Sequence, residues 1–302
     1  MKYVLPRYSL KRVVLSKLFH TLLGNGSKNP FFNVLNFFDP QNIENYSRYA
    51  NREIECNVCG KTSRMLYDFP NVKHRSEHRI GLIRETLQCR QCGATMRDRT
   101  LAHALLVTLN SQKLVQALSI ANLGQRTSLN QRILDTDAFS TTSRLLAQHS
   151  NYVRSSFISS IKFGTELEPN WYNINLERID LPSASFDVIL TSDVAEHIRD
   201  IESAHREIHR ILRPGGKYIF TIPYDPDCKE HHILVDTSTS EDRLLVPAQF
   251  HGDPLSGGIL AYRVFGRKIF EDLEQIGFSV EFMSVDDVNT GIFGGDVFVA
   301  TR

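Results

Sequence analysis

The chain has 302 residues, 41% of them hydrophobic, with 35 basic and 34 acidic side chains and a formal net charge of +1. Length and apolar content suffice for a buried core in one large or two modest domains. A polyanion-binding domain ordinarily shows a basic excess, so the near-cancellation of charge argues against nucleic acid as the default partner.

Residues 1–52 read as an N-terminal arm. Leu10, Val13, Val14, Leu18, Phe19 and Leu22 make an apolar stripe at helical spacing, beside Lys11, Arg12 and Lys17, and Gly24, Asn25 and Gly26 end it. The interspersed charges break every apolar run, so the arm lacks the h-region of a signal peptide. No stretch of the chain approaches the ~20 apolar residues of a membrane span. Peripheral membrane contact through this helix is one use for the stripe; docking on a neighbouring domain is favoured, and the pairs Phe31–Phe32 and Phe37–Phe38 point the same way. The expected setting is cytoplasmic.

Residues 53–97 hold four of the five cysteines, as Cys56–Cys59 followed by Gly60 and Cys89–Cys92 followed by Gly93. A two-residue gap lets both thiolates of a pair reach one ion from a tight turn, and the following glycine lets that turn close. Two such knuckles about 30 residues apart resemble a zinc-ribbon module with tetrahedral four-cysteine coordination. Four thiolates fill the shell, so the implied Zn2+ is structural rather than catalytic. His74 and His78 lie between the pairs as alternative ligands, and Cys228 reads as a small core or loop residue. Arg75, Arg79, Arg84, Arg90, Arg97 and Arg99 crowd this region, either to contact phosphate or as a solvated basic face.

Residues 98–130 are expected to form leading helices, with Leu101, Leu105, Leu106 and Leu109 at helical spacing. From residue 131 to the end, apolar strand and helix candidates alternate: 132–135, 142–147, 152–155, 172–176, 186–192, 201–212, 217–223, 266–276, 279–284 and 297–301. Such alternation predicts an α/β fold with a mostly parallel sheet. The last two strands have no helix between them and should form an antiparallel hairpin.

The densest stretch is 175–223. Phe186–Leu190 is an apolar strand ending in Thr191, Ser192 and Asp193, polar groups at the carboxyl edge where open α/β sheets bind ligands. A helix follows, and Arg213, Pro214, Gly215 and Gly216 turn the chain into the next strand. The order of an acidic-Leu-Pro segment (Asp180, Leu181, Pro182), then Ser185-Phe186-Asp187, a strand, the turn Asp193–His197 and a helix closing on Leu212–Gly216 resembles the class I S-adenosylmethionine-dependent methyltransferase family, in its small-molecule and glycan branch. The resemblance implies a Rossmann-like seven-stranded sheet over 131–302, with S-adenosyl-L-methionine as cofactor. It would set Asn175 and Leu176 beside the adenine, Ser192 and Asp193 near the methionine end, and Glu196 and His197 on the acceptor side.

Three positions depart from that family, one of them Asn175, which stands at the third strand where an aspartate is common. The loop after the first strand runs Asp135, Thr136, Asp137, Ala138, Phe139, Ser140 without a glycine, and the second strand ends in Ser155 and Ser156 rather than an acid. Either the loop binds the cofactor through Asp135, Asp137 and Ser156, or the domain is catalytically silent.

Methyl transfer is an in-line displacement, so orientation is most of the protein's task, and a hydroxyl acceptor adds the need for a general base. The candidate catalytic residues are His197, His231, His232 and His251, the last three in an insertion that also carries Tyr224 and Asp225. The leading expectation is a methyltransferase acting on a small-molecule or glycan acceptor. The alternatives are a silent zinc-ribbon adaptor and an RNA methyltransferase.

Overall fold

The computed structural model describes residues 52–67, 83–85, 87–111, 118–251 and 258–302. The N-terminal arm, His74, His78, Arg75 and Arg79 lie outside the described residues. Among the described residues no helix is long and apolar enough to cross a membrane.

The chain enters through a small antiparallel sheet, β1 (Glu53–Glu55), β2 (Thr62–Tyr67) and β3 (Leu87–Cys89), in the order β1-β2-β3. Helices α1 (Met96–Ser111) and α2 (Ile120–Gly124) follow. The large sheet begins with β4 (Ile133–Asp135), α3 (Thr141–Leu146) and β5 (Tyr152–Ser156), then the hairpin β6 (Glu166–Glu168) and β7 (Trp171–Asn173). It continues with β8 (Phe186–Ser192), a 3-10 turn at Ala195–His197, α4 (Ile201–Ile211) and β9 (Leu212–Thr221). Short strands fill the insertion: β10 (His232–Ile233), β11 (Val235–Asp236), β12 (Arg243–Leu244), β13 (Phe250–His251), β14 (Ile259–Leu260) and β15 (Arg263–Val264). Helix α5 (Lys268–Ile276) precedes the closing hairpin of β16 (Ser279–Asp287) and β17 (Ile292–Thr301).

The large sheet has the order β16-β17-β9-β8-β4-β5-β7-β6. Strands β7, β5, β4, β8 and β9 run parallel, and β17 is antiparallel to β9 and to β16. The expected closing hairpin is present. The sheet has eight strands where seven were expected. The extra one, β6, is a three-residue edge strand of sequence Glu-Leu-Glu with a register break against β7, too short and too polar to read as a strand. The chain proceeds outward from β4 through β5 to β7, then returns to pair β8 on the other side of β4. This reversal opens the crevice between the carboxyl ends of β4 and β8, the place where such sheets bind ligands.

Helices cover both faces. On one, Leu105 and Leu109 of α1, Ile120 and Leu123 of α2 and Leu146 of α3 pack with Ile133, Val188, Leu190, Ile219 and Val299. On the other, Ile208 and Ile211 of α4 and Ile269 and Leu273 of α5 pack with Ile189, Phe220 and Phe298. Helix α4 starts where the Asp200 side chain accepts from the Ser203 amide at 3.1 Å. Its Ala204, Ile208 and Ile211 recur at the spacing that puts them on one buried face.

The cysteine segment is not a separate bead. Ile54, Cys56, Val58, Met65 and Leu87 belong to the same apolar cluster as the first face of the large sheet. The Glu55 amide donates to the Asn289 carbonyl at 2.8 Å, and the amides of Ile120 and Ala121 donate to the carbonyls of Asn57 and Val58, both at 2.9 Å. Arg99, fully buried in α1, donates to the carbonyls of Ala94 (2.7 Å) and Gly291 (2.9 Å). Helix α1 begins at Met96, so the expected boundary near residue 97 falls inside a continuous element.

Candidate active site and cysteine cluster

At the crevice, Asp135 ends β4 and is 3% exposed. It accepts the Asp137 amide at 2.9 Å on Oδ1 and the Tyr152 hydroxyl on Oδ2. Burial, with Asp137 close by, raises its carboxyl to about 7. Asp137 turns back to accept the Phe139 amide at 3.0 Å, so the loop without glycine closes on its own side chains. At the end of β5, Ser156 accepts the indole Nε1–H of Trp171 at 3.0 Å, and Phe139 meets that indole edge-on, centroids 5.4 Å apart. Asn175 caps a turn by accepting the Glu177 amide at 3.0 Å, and Leu176 is buried in the second apolar cluster.

Ser192 and Asp193 close β8 and are both engaged by the segment around the cysteines. Arg97 Nη1 donates to Ser192 Oγ at 2.5 Å, and its Nε lies 3.5 Å from Asp193 Oδ2. Arg84 Nη2 donates to Asp193 Oδ1, which also accepts from the Thr221 hydroxyl at 2.9 Å. Burial opposes the charge on Asp193, yet the two guanidinium groups outweigh it and hold the carboxyl at about 2. Asp193 has φ +51°, an uncommon left-handed backbone for a non-glycine residue, and it does not cap the turn that follows. Glu85 completes the network, 2.8 Å from Arg97 Nε.

The 3-10 turn and β13 bring Glu196, His197 and His251 together. Glu196 Oε1 lies 3.6 Å from His197 Nε2 and 3.5 Å from His251 Nδ1, and those two nitrogens are 3.2 Å apart. Glu196 is fully buried, and among the described residues neither carboxylate oxygen has a hydrogen-bond partner closer than 3.5 Å. His197 Nδ1 donates to the Leu260 carbonyl at 2.8 Å, leaving a lone pair on Nε2.

The other two histidines of the insertion sit elsewhere. His231 bonds Asp272 through Nε2 (2.8 Å) and accepts the Gly266 amide on Nδ1 (3.1 Å), so both ring nitrogens are occupied in structural roles. His232 lies half-exposed, its Nε2 3.2 Å from Asp225 Oδ2. Of the four candidate histidines, the fold therefore unites His197 and His251.

The four cysteines of the two knuckles converge: their sulfurs all lie within 4.8 Å of one another, with Cys56–Cys92 and Cys59–Cys89 both at 3.9 Å. The knuckles repeat the same hydrogen bonds. Gly60 N donates to the Cys56 carbonyl at 2.7 Å and Gly93 N to the Cys89 carbonyl at 2.9 Å. Cys56 N reaches the Lys61 carbonyl and Cys89 N the Ala94 carbonyl. Gly60 and Gly93 both have positive φ, +69° and +76°, the conformation for which glycine is suited. Tetrahedral zinc with Zn–S of about 2.3 Å needs sulfurs about 3.8 Å apart, which the Cys56–Cys92 and Cys59–Cys89 separations match. Cys228 stands apart in the insertion near Asp225 and His232.

Residues 141–220 match a family described as a methyltransferase domain. The chain is 32% identical over 69 residues to the ubiquinone/menaquinone biosynthesis C-methyltransferase UbiE of Caulobacter vibrioides, a stretch that covers 23% of this chain and 27% of that protein. It is 34% identical over 59 residues to the sterol 24-C-methyltransferase erg6 of Aspergillus fumigatus, covering 18% and 16%. Among solved structures, an S-adenosylmethionine dependent methyltransferase from Mesorhizobium loti aligns with 60% of this chain and 95% of its own, at 15% identity and a TM-score of 0.39. The chain spans about a quarter of the length of the first curated relatives it matches. The matched stretch, residues 141–220, runs from α3 through β9.

Proposed function

We propose that this chain is an S-adenosylmethionine-dependent methyltransferase acting on a small-molecule or glycan acceptor. The observation that carries the reading is the methyltransferase domain over 141–220, with its polar strand end, Ser192 and Asp193, at the crevice beside β4. The donor set there suits the methionine end of the cofactor. That end is a zwitterion: Arg84 and Arg97 would meet its carboxylate, and Asp193 beside them its ammonium. Asp135, Asp137 and Ser156 line the divergent loop side, and Asn175 and Leu176 the adenine side. The cofactor supplies an activated methyl group together with its own leaving group. The chain's part is to hold the acceptor in line and to promote the loss of its proton. Glu196, His197 and His251 are the polar group fitted to that end, ahead of His231 and His232, whose rings are tied to Asp272 and Asp225.

The four cysteines, on the same reading, hold a structural Zn2+. Arg99 supports this from the charge side. It is fully buried, donates among the described residues only to carbonyls and the Met65 sulfur, and lies where the thiolates oppose the burial that lowers its pKa. A zinc tetrathiolate carries two net negative charges and would balance it. Such a centre requires reduced cysteines and suits a cytoplasmic setting.

One observation favours a second reading, a catalytically silent adaptor: Ser192 and Asp193 are already engaged by Arg97 and Arg84, beside a loop that lacks glycine. The two are separated by incubating the purified chain with radiolabelled S-adenosylmethionine and photo-crosslinking it. Label incorporated into the chain and competed by the demethylated product supports the enzyme. Its absence supports the adaptor.

A further inference from the structure

We propose that Glu196, His197 and His251 bind one divalent transition-metal ion, leaving a coordination position open for a hydroxyl of the acceptor. The metal site stands on its own geometry. Its use in methyl transfer rests on the function proposed above.

The three prospective ligand atoms are Glu196 Oε1, His197 Nε2 and His251 Nδ1, and they form a triangle with sides of 3.6, 3.5 and 3.2 Å. Ligands at about 2.0–2.1 Å from a tetrahedral ion are about 3.3–3.4 Å apart, a value inside that range. Two features call for a cation at the centre. The first is Glu196, fully buried, whose carboxylate oxygens have no hydrogen bond of ordinary length among the described residues, the two histidine nitrogens lying at 3.5 and 3.6 Å. A buried carboxylate left in that state is strongly disfavoured unless it is paired or bound to metal. The second is the tautomer of His197. Its Nδ1 faces the Leu260 carbonyl, which can only accept, so Nδ1 carries the proton and Nε2 presents a lone pair. That lone pair faces Glu196 Oε1 at 3.6 Å and His251 Nδ1 at 3.2 Å; one proton on His251 Nδ1 would be shared between two acceptors, whereas a cation at the centre of the triangle satisfies all three atoms. The bond to Leu260 also orients the ring as outer partners of metal-bound histidines do.

Two imidazoles and one carboxylate suit zinc, cobalt, iron(II) or manganese rather than calcium or magnesium. The site is closed on one side and open on the other: the side chains of Glu196 and His197 are 0% and 7% exposed, whereas that of His251 is 41% exposed. Three protein ligands with an open fourth position are the arrangement of a metal that does chemistry, in contrast to the filled four-sulfur cluster. An acceptor hydroxyl bound there becomes more acidic and gives its proton to solvent. Its oxygen lone pair then forms the bond to the methyl carbon, the carbon–sulfur bond breaks, and that electron pair stays on the departing sulfur. The acceptor class is therefore a hydroxyl compound, and the product a methyl ether.

The test is a titration of the full chain, zinc-loaded at the cysteines, with Co2+ alone, followed by visible absorption and by circular dichroism for folding. The expected result is one cobalt bound per chain with ligand-field bands of nitrogen and oxygen coordination and no sulfur charge-transfer band. Glu196→Gln and His251→Ala should each weaken binding by more than about 10-fold with the fold retained. The inference is overturned if the wild type takes up no cobalt, if uptake appears only with a sulfur band, or if both variants bind as the wild type does. S-adenosylmethionine binding is measured on the same samples. Cofactor binding without cobalt binding sinks the metal site alone; cobalt binding without cofactor binding sinks the methyltransferase and leaves the metal site standing.

Discussion

Arg97, in the first turn of α1, donates from Nη1 to the hydroxyl of Ser192 at the end of β8, 2.5 Å away and 95 residues later. This bond links the segment that follows the cysteine knuckles directly to the crevice of the large sheet. With Arg84 it surrounds Asp193 with positive charge, so the residues expected at the methionine end of the cleft depend on the N-terminal part of the chain for their electrostatics.

Breaking that link should cost stability. Arg97→Met leaves Asp193 partly buried with one guanidinium instead of two, and a loss of about 3 kcal/mol is expected in denaturant unfolding. Asp193→Asn in the same chain should recover part of that loss, because no buried charge is then stranded. Additive costs in the double variant would show that the two residues are not coupled.

The cysteine cluster shares its apolar core with the large sheet, so loss of the proposed zinc should be felt beyond the knuckles. Cys89→Ser is expected to abolish bound zinc at the cluster and to lower the melting temperature of the whole chain. Wild-type protein purified without chelators, fully folded and with four titratable thiols in the cluster, would contradict the metal assignment.

Asp135 gives a pH dependence with a definite sign. Its carboxyl rises from about 3.9 in the unfolded chain to about 7 in the folded one. The folded state therefore holds a proton that the unfolded state has released, and stability falls as pH climbs from about 4 to 7, on the order of 4 kcal/mol in all. Asp135→Asn should flatten that slope, as read from chemical-denaturation midpoints. An unchanged slope would mean that Asp135 is charged throughout.

His205 acts in the opposite direction. It is buried in α4, its Nε2 has no hydrogen-bond partner among the described residues, and burial brings its pKa down to about 3. The neutral ring is favoured in the fold, so its contribution is complete above about 6.5 and is lost as pH falls toward 3. His205→Phe should remove this acid sensitivity, at some cost in packing against Tyr218. Acid unfolding with the same midpoint in both proteins would place the labile group elsewhere.

The parts of the fold that could be read from the sequence are those where one local rule dominates. Alternating apolar runs gave the parallel strands, and the absence of a helix between the last two runs gave the antiparallel hairpin. Paired cysteines followed by Gly60 and Gly93 gave the knuckles, because the turn requires a positive φ at those positions. The site was less legible because its partners are remote in sequence. Nothing local pairs Arg84 with Asp193, or Glu196 with His251; each depends on the sheet order. Glu196 reads as an ordinary acid in a polar turn until the fold buries it completely. The methyltransferase match begins at residue 141, just after the loop 135–140, where the missing glycines had already marked the chain as divergent. There Asp135, Asp137 and Tyr152 satisfy one another, an arrangement no spacing rule announces.

The central claim, that this domain binds S-adenosylmethionine, is tested most directly by isothermal titration calorimetry of the full chain with the cofactor and with its demethylated product. The account predicts one site per chain for each, weakened when Asp193 is changed to Asn. No heat of binding at millimolar cofactor, from protein that is folded and zinc-loaded, would contradict it.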